Sequence, residues 1–100
     1  MNEEKLYEFG PRWEATRLII ERKGYDKILS FSVKFEKDGE VVELEFIGPK
    51  DIDSLPELID VEHVIVSKEI GSQKEFSTVK IEFLGECWQE VWCDSVVKVN

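Results

Sequence analysis

The chain has little with which to build the common catalytic or membrane-spanning designs. Its 100 residues include one histidine, two cysteines, three prolines and six glycines. A lone histidine leaves most acid–base schemes without their usual neutral-pH group. Two cysteines, Cys87 and Cys93, fall short of a thiolate metal set, which brings close pairs and further ligands. No apolar run exceeds three residues, Leu18-Ile19-Ile20 being one of them, so no membrane-spanning helix is encoded. The start, Met1-Asn2-Glu3-Glu4, is acidic where a signal peptide would be basic, and the expectation is a cytoplasmic protein. Positive charge is also scarce. Thirteen bases stand against 22 acids, a formal charge of −9, which repels a nucleic-acid backbone unless basic residues are segregated, and they are not. Phosphate-loop, dinucleotide-binding, His-Glu-x-x-His, Gly-x-Ser-x-Gly and calcium-loop signatures are all missing.

What is present belongs to a β protein. Hydrophobic residues make up 42% of the chain, enough for a core, and the length suits a single domain over residues 1–100. From Ala15 onward the apolar positions alternate with polar ones, the period of half-buried strands. Thr16–Arg22 reads as a first strand ended by Lys23-Gly24. Phe31, Val33 and Phe35 share one face of the next, Lys37-Asp38-Gly39 turns the chain, and Val42, Leu44 and Phe46 return on the same side. Val61–Ile70 and Glu75–Leu84 form a further pair about Gly71-Ser72-Gln73, with Val79, Ile81 and Phe83 inward. The last stretch, Glu86–Val99, keeps one parity, Cys87, Val91, Cys93, Val97 and Val99 sharing a face. At about 14 residues it is long for a strand, which predicts a bulge near Asp94-Ser95.

Two helix signals accompany the strands. Asn2, with Glu3 and Glu4 in the first turn, caps a short segment that Gly10-Pro11 stops. Ser54-x-x-Glu57 matches a capping box, with Pro56 tolerated in the first turn and Leu55, Leu58 and Ile59 facing the sheet. The expected fold is therefore mainly β with minor α. It has about six antiparallel strands in a curved meander or partly closed barrel, one short N-terminal helix and one short middle helix.

Chemistry is sparse. His63 lies in a strand, and its neighbour Glu62 points to the opposite face, so a solvent-facing strand histidine is the simpler account. On one strand Cys87 and Cys93 would lie about 20 Å apart at ~3.3 Å per residue, too far for a disulfide. Two small buried hydrophobes in a reducing compartment account for them. No pair of carboxylates is singled out for acid–base work, and no cofactor or metal is implied. The sequence points away from enzymatic activity.

The charge is uneven. Residues 1–50 carry 9 bases and 11 acids, and residues 51–100 carry 4 and 11, so the halves are −2 and −7. In the last strand the even positions are Glu86, Trp88, Glu90, Trp92 and Asp94. With the odd positions inward, two indoles stand among three carboxylates on the other face. Rigid indoles are favoured at protein interfaces, and the carboxylates would steer a basic partner. Two other readings stand beside an exposed stripe. The face could be covered by the N-terminal helix or Trp13, or the segment could be helical, since Trp88 and Trp92 are four apart.

Trp13-Glu14-Ala15 leading into Leu18-Ile19-Ile20, the run of antiparallel strands, and Cys93-Asp94-Ser95-Val96 near the end resemble the small β-rich immunity proteins of bacterial polymorphic toxin systems. The resemblance implies a non-enzymatic inhibitor that covers a basic toxin surface. Some of those families carry a His-Asp pair where Glu14-Ala15 stands, and no binding residue is transferred. The function expected is a protein-binding module of immunity or inhibitor type, with Glu86, Trp88, Glu90, Trp92 and Asp94 as its face. Two alternatives are a small-ligand carrier lined by Phe31, Phe35, Phe46 and Phe83, and an acidic nucleic-acid mimic using Glu43, Glu45, Glu82 and Glu90. Oligomeric state is left open, although Lys34, Lys68 and Lys80 could guard sheet edges.

Overall fold

The computed structural model describes residues 2–71 and 77–99. The chain forms β1 (Asn2–Phe9), β2 (Glu14–Lys23), β3 (Ile28–Lys37), β4 (Glu40–Ile47), a 3₁₀ segment (Leu55–Asp60), β5 (His63–Ile70), β6 (Val79–Leu84), β7 (Trp88–Cys93) and β8 (Ser95–Lys98). Two four-stranded antiparallel sheets result: sheet I in the order β1-β5-β6-β7, and sheet II in the order β2-β3-β4-β8. Their inner faces share one core, with Phe9, Val64, Val66, Ile81, Phe83, Val91 and Cys93 from sheet I meeting Phe31, Val33, Phe35, Leu44 and Phe46 from sheet II. The architecture is a two-layer sandwich. No helix of the described residues is long and apolar enough to cross a membrane.

The β3–β4 hairpin follows from its sequence. Asp38 (φ 49°) and Gly39 (φ 88°) both take the left-handed conformation, the requirement of a two-residue turn whose twist matches the strands. The register Phe31–Phe46, Val33–Leu44 and Phe35–Val42 then places the alternating apolar positions on one face.

Six strands and two helices are not what forms. The N-terminal segment is strand β1, paired with β5. Tertiary pairing overrides its capping signal, because as a strand it turns Phe9 inward, where the ring stacks on Phe35 with centroids 3.9 Å apart. A capped single turn would bury little and is marginal by itself. The middle helix is a 3₁₀ segment, and Ser54 makes no side-chain capping bond. Three residues per turn bring Leu55 and Leu58 to one buried line and leave Ile59 exposed.

The last stretch does not keep one parity. It breaks at Asp94, and the chain passes from the edge of sheet I (β7) to the edge of sheet II (β8). The irregularity expected near Asp94-Ser95 is thus a corner between sheets. Beyond it the inward position falls on Val96, which packs against the core, while Val97 and Val99 are exposed. Before β7, Cys87 is exposed as well, so only Cys93 is a buried cysteine. The strand expected at Val61 begins at His63. The turn at Ser72-Gln73 and the first residues of the Glu75–Leu84 strand lie outside the described residues.

Candidate binding face

A two-layer sandwich leaves the outer face of each sheet to solvent. On sheet I, register aligns the outward residues in rows. His63 pairs with Leu84, and Leu84 with Trp88. The next row runs Glu8, Ile65, Glu82 and Glu90, and the third Lys5, Ser67, Lys80 and Trp92. Of the acidic–aromatic stripe, Trp88, Glu90 and Trp92 therefore stand on the outer face of edge strand β7, as strand alternation requires, while Glu86 precedes the strand and Asp94 follows it.

Trp88 is 52% exposed, and its ring lies 6.1 Å from the His63 imidazole. Glu86 and Glu90 are exposed beside it, and Trp92 is half-buried. Lys80 Nζ sits 5.5 Å from the Trp92 ring centre, and Trp92 Nε1 donates to Glu90 Oε1 at 3.3 Å. Trp13 does not cover the stripe. It packs edge-on to Phe9 on the core side, with centroids 5.2 Å apart. Asp94 has a different setting at the corner, where its Oδ1 accepts the Ser77 N–H at 2.9 Å.

The carboxylates of this face are partly tethered. Lys80 donates to Glu3 at 2.7 Å and lies 3.5 Å from Glu82. Its hydrogen bond to Glu3 raises the ammonium pKa above the usual lysine value, against a smaller opposing effect of burial. Glu8 lies between Lys5 and His63, 2.7 Å from each. The Lys5 hydrogen bond, followed by that of His63, holds the Glu8 carboxyl below its ordinary range. His63 is accordingly a half-buried histidine with a carboxylate partner. Sequence reasoning missed Glu8 because the partnership depends on β1 pairing with β5, 55 positions away. Exposed pairs of this kind contribute little to stability; Glu8 bonds the His63 ring that lies beside Trp88.

The carboxylates that a nucleic-acid mimic would align are divided between opposite faces. Glu82 and Glu90 are outside sheet I. Glu43 and Glu45 are outside sheet II, where Arg17 and Lys23 bond them. The rings proposed to line a carrier pocket are at most 1% exposed. Phe31 stacks on Phe46 with centroids 4.7 Å apart, so these side chains fill the core. A cavity of about 320 Å³ opens at one end of the sandwich, lined by Glu4, Leu6, Lys68, Ile70, Val79 and Asp94 among others. None of the four phenylalanines lines it. Among the described residues no three His, Cys, Asp or Glu side chains gather as a metal-ligating group.

Comparison with known proteins adds no family: no family model, curated protein or solved structure matches the chain.

Proposed function

We propose that the chain is a non-enzymatic protein-binding module of the immunity or inhibitor type, covering a basic protein through the outer face of sheet I. The observation that carries the reading is Trp88. It is a half-exposed indole on the edge strand of sheet I, flanked by Glu86 and Glu90, in the half of the chain with charge −7. A partner that buried the rest of this ring would remove about 100 Å² from water, roughly half of a ~200 Å² side chain, a contribution of ~2.5 kcal/mol. Trp92 extends the face along β7 and Glu82 toward β6, while Asp94 stays at the corner between the sheets, bonded to Ser77. The two free thiols suit a reducing compartment such as the cytoplasm. The tight aromatic core favours this module over a ligand carrier.

The test is capture of partners from the source cell's lysate on the immobilised chain at low and high salt. The expected result is a basic protein retained by the wild type, released by salt and lost by Trp88→Ala combined with Glu90→Lys. Unchanged retention by that variant, with its circular dichroism intact, would reject this face as the interface.

A further inference from the structure

From the free edge of sheet II, we infer that the chain forms a two-fold symmetric dimer by antiparallel pairing of β2 with β2 of a second copy, with Ile19 on the dyad. An open sheet edge is a template for another strand, and proteins blunt edges that must stay single. Three of the four edges here are short or interrupted. β1 has a register shift between Lys5 and Tyr7, and β7 and β8 have six and four residues. β2 keeps the longest unbroken run of the four: beyond its own register shift between Ala15 and Arg17, Arg17–Lys23 pairs with β3 without a break. Among the described residues, no strand pairs with its other side.

The backbone directions follow from the neighbouring strands. Gly48 N donates to the Leu29 carbonyl at 2.9 Å, so Leu29 directs its backbone groups toward β4. Alternation along β3 then turns Ser30, Ser32 and Lys34 toward β2, where they pair with Glu21, Ile19 and Arg17. The intervening residues Leu18, Ile20 and Arg22 present their N–H and C=O groups at the free edge.

Side chains choose the register. Strand parity requires outward residues (Arg17, Ile19, Glu21, Lys23) to face outward ones, and Leu18 and Ile20 to face each other on the core side. With Ile19 opposite Ile19 of the second copy, Arg17 faces the second copy's Glu21, and Leu18 faces its Ile20, each twice by symmetry. Both Leu18–Ile20 pairs then occupy positions that exchange two N–H···O=C bonds. Moving the dyad to Ile20 sets Arg17 against Lys23, and moving it to Glu21 sets two glutamates together. Only the Ile19 register matches opposite charges while burying the apolar residues. Those residues have surface to bury: Ile19 is 39% exposed, and Ile20, though turned to the core side, is 38% exposed. Arg17 and Glu21 side chains remain 52% and 45% exposed beside their partners Glu43 and Lys23. The edge belongs to sheet II, so this dimer leaves the Trp88 face of sheet I free.

Sedimentation velocity from micromolar to millimolar concentration tests the pairing. The wild type is expected to approach twice the 11.7 kDa chain mass. Glu21→Lys and Arg17→Glu should each remain at chain mass. Mixing the two variants should restore a one-to-one dimer, because each then supplies the charge that the other lacks. Should Arg17→Glu fail to fold beside Glu43, amide exchange on the wild type decides instead. The Leu18 and Ile20 amides should gain protection as concentration rises. A wild type at chain mass throughout, a dimer indifferent to Glu21→Lys, or a dimer without that protection would overturn the pairing.

Discussion

Replacing Gly48 with alanine strikes the corner where the two sheets exchange strands. Gly48 has φ 68°, and a Cβ there would meet the Asp94 carboxylate, lying 2.8 Å from Cγ and nearer still to Oδ2. Asp94 cannot simply withdraw. Its N–H donates to the Ile47 carbonyl at 2.8 Å, and its Oδ1 accepts from Ser77 N–H at 2.9 Å. Left-handed backbone costs a non-glycine residue about 1–2 kcal/mol, and forcing atoms into an occupied site costs about 1–3 kcal/mol. Gly48→Ala should therefore destabilise by about 3 kcal/mol, a Tm loss of roughly 12–24 °C at ~4–8 °C per kcal/mol. Asp94→Ala should lose about 1.5–3 kcal/mol with its carboxylate hydrogen bond. The double variant removes the obstructing group, so its loss should fall short of the sum by ~1–2 kcal/mol. Urea or thermal unfolding of the four proteins measures this. Full additivity, or a neutral Gly48→Ala, would refute the close approach at the corner.

Other outcomes follow from the surface and the thiols. Trp88→Ala should weaken binding of the captured partner by roughly 60-fold, which is ~2.5 kcal/mol at 1.4 per tenfold, while changing unfolding by less than about 0.5 kcal/mol. In the native protein a thiol reagent should modify Cys87 promptly and Cys93 only upon unfolding, because burial pushes the Cys93 pKa up to about 12. A raised thiol pKa contributes stability that is intact below the ordinary value near 9.0 and is lost as pH climbs toward 12. Cys93→Ala should flatten that alkaline decline. Glu8 has a lowered pKa, so its contribution is present above the ordinary carboxyl range and disappears as pH falls through the lowered value. Glu8→Gln should make the acid limb of the stability curve shallower.

Local rules were sufficient where neighbours in sequence are neighbours in space. Asp38-Gly39 announces its turn, and the alternation of Phe31–Phe35 and Val42–Phe46 fixes which side faces the core. The same alternation places Trp88, Glu90 and Trp92 outside. Long-range pairing was not legible. Nothing in Asn2–Phe9 names β5 as its partner, so the acidic first turn reads as a helix start, and the Glu8–His63 contact stays hidden with it. Parity failed at Asp94 because a corner between sheets resets the count without leaving a glycine or proline in the strand. Ser54-x-x-Glu57 marks where a helical turn begins but not its winding, which the burial of Leu55 and Leu58 decides.

Footprinting of the captured complex by oxidative labelling tests the binding face most directly. The account predicts that Trp88 and its flank on sheet I lose labelling when the partner binds, while Val97 and Val99 beyond the corner keep theirs. Full labelling of Trp88 in the complex, with protection elsewhere, would contradict it.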